Sequence, residues 1–213
     1  SEMCIRDSYD WGKEVSDSDK NKGILYGLLF HLLKVLAPSE KWDVCMEELD
    51  KLSELSGKAK ELYQEKAERW AKENKREKLI YTIGSGINYG EVYSTAMCWF
   101  MEMQWIHSGC IHSGEYFHGP FEVTDYDVPF LLVKSIGNTR FLDQRVEDFS
   151  KKYSDKMLIL DQEDLPLAGV ADEAKPYIAA ILSGVVIRQF VEAIAFERGH
   201  SLDVRRYMWH MEY

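Results

Sequence analysis

Leu79-Ile80-Tyr81-Thr82-Ile83-Gly84-Ser85-Gly86 decides the fold. Five apolar or β-branched residues in a row read as a strand buried on both faces, and the glycine loop that closes it leads into apolar residues at helical spacing from about Tyr89 to Ile106. The same order recurs downstream. Val128 to Lys134 is predicted as a strand, Ser135 to Gly137 as its loop and Thr139 to about Tyr153 as a helix. Met157 to Leu160 is a third strand, and Lys175 to Arg198 a closing helix. Strand, glycine loop and helix in repetition predict an α/β protein with a three-layer, doubly wound parallel sheet. In such sheets ligands bind beyond the C-terminal ends of the strands, which makes Gly84, Ser85, Gly86, Ser135, Asn138 and Thr139 candidate substrate-binding residues. Hydroxyls and free amides at a helix start attract anions; an ordinary turn with an N-cap uses the same residues.

Upstream of this unit the pattern is wholly helical. Residues 1–19 are polar and expected to be loose. Gly23 to Leu36 reads as a helix stopped at Ala37-Pro38. Ser39 then opens a helix expected to end before Gly57, and Lys58 to Lys75 carries Ala59, Leu62, Tyr63, Ala67 and Trp70 along one stripe. The expected division is therefore a loose segment 1–19, a helical segment 20–76 and an α/β domain 77–213. Tyr93, Trp99, Phe100 and Trp105 fall at spacings expected of a buried helix face.

Composition narrows the functional classes. The 213 residues carry a formal charge of −10, with 46% hydrophobic and 29% charged residues. The basic residues are scattered among acids, which argues against nucleic acid. No apolar run reaches the roughly 20 residues of a membrane span; Ile178 to Ala195 is interrupted by Arg188, Gln189 and Glu192. Cys4, Cys45, Cys98 and Cys110 show neither a zinc nor a disulfide spacing, so reduced thiols in a cytoplasm are expected. The N-terminus shows no secretory pattern.

The densest chemistry lies in Glu102-Met-Gln-Trp-Ile-His107-Ser-Gly-Cys-Ile-His112-Ser-Gly-Glu115-Tyr-Phe-His118-Gly119-Pro120-Phe-Glu122. A helix-borne carboxylate at Glu102 and a loop-borne imidazole at His118 are the residue types of general acid/base catalysis. Plainer readings exist: a buried ion pair for Glu102, and capping or packing for His118. His107 and His112 are expected to orient loops. The pair Glu115 and His118 falls short of the three or four ligands a zinc site needs, so neither metal nor cofactor is expected.

These same residues carry a resemblance. Glu102-x4-His107 followed by Gly114-Glu115-x-x-His118-Gly119-Pro120 resembles the second half of sugar isomerase (SIS) domain enzymes. Ile111 to Glu122, the loop Ser135-Ile-Gly-Asn-Thr-Arg140 and the ending Arg205 to Tyr213 are most similar to deglycases of phosphorylated Amadori compounds, the fructoselysine and fructose-asparagine 6-phosphate type. The resemblance covers about residues 20 to 213. It implies hydrolysis of a 6-phosphofructosyl-amino acid to glucose 6-phosphate and a free amino acid, with Glu102 and His118 catalytic and Glu115 and His210 at the substrate. It also implies a homodimer whose subunits complete one pocket, and a helical segment 20–76 that closes a first SIS domain. On that reading the chain is a C-terminal portion, and alone it lacks the Ser/Thr-rich loop that cradles the 6-phosphate. Two other functions stay open: an aldose-ketose aminosugar phosphate isomerase, and a sugar-phosphate-binding module without catalysis. The related isomerases use a tail lysine where this chain has His210, which weighs against the first.

Overall fold

A computed structural model describes residues 21–212, so the segment 1–19 lies outside the described residues. Four parallel strands form one sheet in the order β2-β1-β3-β4, with β1 at Tyr81–Gly84, β2 at Cys110–His112, β3 at Phe130–Lys134 and β4 at Met157–Asp161. Six helices accompany it: α1 (Asn21–Leu36), α2 (Lys41–Glu48), α3 (Leu52–Asn74), α4 (Tyr89–Ser94), α5 (Arg140–Tyr153) and α6 (Lys175–Arg198).

Strand side chains alternate between two apolar layers. Ile80, Leu131, Val133, Leu158 and Leu160 face a core built with α3, α6 and the helix that follows β1, while Ile83, Ile111, Phe130 and Leu132 face Val146 of α5 and Tyr116. This is the three-layer, doubly wound arrangement expected from the sequence. Phe30 of α1 and Leu52 to Trp70 belong to the same core as the strands, so the change of pattern at residue 76 is not a break in the packing. Lys51, Lys66 and Lys75 also reach across it to Gly169, Ile159 and Glu197.

α6 is the one described helix long and apolar enough to cross a membrane by composition, with a window of mean hydropathy 1.8. It is apolar on nearly every side because the sheet covers one face and α3 another; Ile178, Leu182, Ile187, Phe190 and Ile194 are all buried. Burial of this kind marks a core helix.

Several boundaries differ from the sequence reading. Gly57 does not end a helix: the break lies at the 3-10 turn Leu49–Lys51, and Gly57 rides inside α3 where a methyl group would meet nothing. β2 was not foreseen. Three residues flanked by Ser-Gly on both sides give no periodicity to read, and the strand exists because its backbone pairs with β1. Of the four aromatics assigned to the core, only Phe100 is fully buried, whereas Tyr93 is 52% and Trp105 38% exposed.

β3 and β4 are joined by charge as well as by backbone. Lys134 is the register partner of Asp161, is itself buried, and makes ion pairs of 2.7 Å with Glu147 and 3.0 Å with Asp161. Arg140 grips the same Asp161 with both guanidinium nitrogens, at 2.7 and 2.8 Å. Burial alone would raise the Asp161 pKa, but Arg140, the Glu163 amide and Lys134 together bring it down to about 2. A carboxylate depressed in the folded state stabilises the protein above the unfolded pKa near 4, and that contribution disappears as pH falls towards 2. Asp161→Asn is therefore expected to cost about 2 kcal/mol at pH 7 and progressively less between pH 4 and pH 2. Urea denaturation of both proteins at several pH values checks this; a deficit independent of pH would refute it.

Candidate functional site

The strand order reverses between β1 and β3, and the loops leaving these two strands are the ones singled out in the sequence. They are brought together, but against each other. Gly86 adopts φ +54, and a methyl group there would sit 2.7 Å from the Thr139 hydroxyl. The two loops therefore approach closely at this point of the crevice that the topology offers. The first amides of the expected anion loop are also engaged. Ser135 N–H donates to Asp143 at 2.8 Å, Ile136 N–H to Gln162 at 2.9 Å, and Gly137 N–H to the Ser135 hydroxyl at 2.9 Å. Asn138 is exposed at the tip. Arg140 donates to Ser135 O at 2.9 Å, and its other bonds go to Asp161 and Glu163. The amides of Asn138 and Thr139 make no hydrogen bond among the described residues, so the donors left for an anion lie at the end of the loop, where α5 begins.

The residue holding this junction was missed in the sequence. Asp143 is fully buried in the first turn of α5 and accepts from the Ser113 hydroxyl after β2 and the Ser135 amide after β3, with the Ser85 hydroxyl also contributing. Three strand ends thus converge on one carboxylate. Burial pushes its pKa up, and these hydrogen bonds only partly offset that. Gln162 makes a second tie, donating to Asn88 at 2.8 Å and Ser183 at 3.0 Å.

Glu102 lies elsewhere. α4 does not continue as an α-helix: Thr95–Met103 is π-helical, and Gln104 N–H donates five residues back to Trp99 at 3.1 Å. Such wide turns are rare and occur disproportionately at functional sites. Glu102 is partly exposed at 29% of its side chain and pairs with Arg205 Nε at 3.1 Å. The segment ends at Trp105, a non-glycine residue at φ +54. A cavity of ≈ 670 Å³ opens beside Glu102, lined by Trp105, His107, Arg205, Arg206 and Tyr207 among others. The chain's tail forms its wall. Gln104 donates to His200 O at 2.9 Å and Arg198 donates to Gln104 O at 3.3 Å, which ties the tail to the end of the π-helix.

His118 closes a 3-10 turn after β2, is exposed, and is followed by Gly119 at φ 141, which turns the chain into Pro120. Tyr116 and Phe117 of this loop pack with Phe149 of α5. The loop therefore sits on the sheet face opposite the Glu102 helix, and within one chain the two groups do not share a pocket. Glu115 is exposed beside His118, and His210 is exposed on the tail. His112 orients its loop, as expected, by accepting from Gly114 N–H at 3.1 Å. Among the described residues no three His, Cys, Asp or Glu side chains cluster as metal ligands.

Comparison with known proteins places this geometry. The fructosamine deglycase FrlB of Bacillus subtilis is 43% identical over 205 residues, which is 96% of this chain and 62% of that protein. A solved Bacillus subtilis structure that carries the provisional name phosphosugar isomerase superposes with a TM-score of 0.92 at 43% identity, over 96% of this chain and 62% of the other. The chain has the fold of SIS-type phosphosugar isomerase domains. The Escherichia coli (strain K12) fructoselysine 6-phosphate deglycase is more distant, 25% identical over 86% of this chain and 53% of its own length. No family model matches. The SIS chain spans between half and two thirds of the length of these relatives.

Proposed function

We propose that this SIS domain serves a deglycase that cleaves a 6-phosphofructosyl-amino acid with water, giving glucose 6-phosphate and a free amino acid. The observation that carries the reading is Glu102, a carboxylate held on a π-helical turn at the mouth of a cavity, in a chain whose relatives are named deglycases. The C2 ketone of such an adduct acidifies the C1 hydrogens. Glu102 takes a proton from C1, giving an enaminol, and returns it to C2, giving an imine at C1. Water adds to that imine and the amine departs. His118 is the second proton-transfer group, opening the sugar ring or protonating a heteroatom.

Because His118 and Glu102 lie on opposite faces of the sheet, the proposed site is completed by a second copy of the chain, which contributes its His118 to this chain's Glu102. Glu115, next to His118, would enter with it. Much of the cradle for the 6-phosphate is assigned to the part of the longer relatives that this chain does not span, since the first three amides of the loop at Ser135 are taken internally. On this reading the helical segment 20–76, α1 to α3, closes a preceding SIS domain. The amino acid released, asparagine, lysine or another, depends on the cavity beside Glu102. Free thiols at Cys45, Cys98 and Cys110 support a cytoplasmic setting.

The test is an assay for glucose 6-phosphate and free amino acid with phosphorylated Amadori compounds, run on the chain and on the longest native protein that carries it. Release is expected from the longer protein. Interconversion of glucosamine 6-phosphate with fructose 6-phosphate and ammonia in its place would establish the isomerase alternative.

A further inference from the structure

Arg206 stands out in a chain of net charge −10. Its guanidinium lies 4.3 Å from the centre of the Trp105 ring and lines the cavity beside Glu102, yet it forms no ion pair among the described residues. Its neighbour Arg205 is committed elsewhere: its Nε lies 3.1 Å from Glu102 Oε1 and its Nη1 donates to the carbonyl oxygens of Leu202 and Val204. With Glu102 neutralised by Arg205, the uncompensated charge in this cavity is the positive one of Arg206.

The support beneath it is built, not incidental. Trp105 holds a left-handed backbone conformation that costs a bulky residue energy, and such strain concentrates at functional positions. His200 packs edge-on against the same indole at 4.5 Å. The ring is thus fixed from one side and carries the guanidinium on it, which limits the motion of an otherwise exposed arginine.

We propose that Arg206, on its Trp105 platform, is the subsite for the α-carboxylate of the amino acid carried by the substrate. The inference rests on the deglycase reading and deepens it. If Glu102 works at C1 of an adduct linked through the α-amine, the amine nitrogen is bonded to that carbon and the α-carboxylate lies only two further bonds away. The 6-phosphate is at the far end of the sugar. The anion that a guanidinium in the Glu102 cavity meets is therefore the carboxylate, and a planar fork matches it in two parallel hydrogen bonds.

The test compares a 6-phosphofructosyl-amino acid with its α-carboxamide, identical except for the lost charge. The native enzyme is expected to prefer the acid by about 10- to 100-fold in kcat/KM, chiefly through KM. In Arg206→Gln the acid-to-amide ratio is expected to fall to near one, and Arg206→Lys, which keeps charge without the fork, to fall between. A ratio unchanged in Arg206→Gln, or absent from the native enzyme, overturns the assignment. So does weaker binding of fructose 6-phosphate, which has no carboxylate, by the variant, since the arginine would then serve the phosphate. If neither compound is turned over, the deglycase reading fails on its own account. Thermal stabilisation by the acid over the amide then judges the subsite separately, and equal shifts refute it.

Discussion

Replacing Glu102 by glutamine is expected to lower deglycase turnover by about 10²- to 10⁴-fold in the protein that carries this chain, with little change in KM. Glutamine keeps the shape and can still meet the Arg205 guanidinium through its carbonyl oxygen, but it cannot accept a proton from carbon. His118→Ala should fall within a similar range. The geometry adds a sharper expectation. If the imidazole comes from a second copy, the two inactive variants complement one another: a mixed dimer has one doubly altered site and one intact site. Co-refolding equal amounts should restore about a quarter of native activity, because half of the dimers are mixed and each has one good site of two. No recovery, with mixed dimers demonstrated by native mass spectrometry, would rule out the shared site. Native turnover by Glu102→Gln would remove the acid/base assignment itself.

The second large effect is on stability. Asp143→Ala would strip the acceptor from the Ser113 hydroxyl and the Ser135 amide, both at buried positions, and from the Ser85 hydroxyl. Each buried donor left unpaired costs about 1–3 kcal/mol. Relief of burying the carboxylate returns some of this, so the net loss is expected to be about 2–4 kcal/mol. Asp143→Asn keeps one acceptor oxygen and should lose about half as much. Equilibrium denaturation in urea measures both; a loss below about 0.5 kcal/mol in Asp143→Ala would show that the three strand ends hold together without it.

How far the sequence carried the reading depends on what kind of interaction made each feature. The buried strands Tyr81–Gly84 and Phe130–Lys134 and the helix Lys175–Arg198 were legible because burial on more than one face leaves a continuous apolar run, and Met157–Asp161, fully buried only at alternate residues, still shows four apolar residues in a row. β2 was not, since its existence depends on pairing with a strand 28 residues upstream in register. Glu102 was legible from its oddity between two methionines, and that oddity demanded a cation. The two arginines of the tail were in view, but nothing local says that a chain end folds back over a helix about 100 residues earlier. Asp143 looked like any acid in the first turn of a helix; only the convergence of three loops gives it its role. The Ser135 loop was legible only in part. Its letters match an anion nest, but nothing in them says that its first three amides are claimed by Asp143, Gln162 and Ser135 itself.

The wide turn at Thr95–Met103 makes the aim of Glu102 a matter of residue count as well as residue type. One residue represents about 100° of rotation in an ordinary helix. A one-codon deletion within this stretch would restore the tighter winding and swing the carboxylate away from Arg205 while leaving every neighbouring side chain chemically intact. In the divergence of these proteins, a gap there would change the chemistry even where all the expected letters survive.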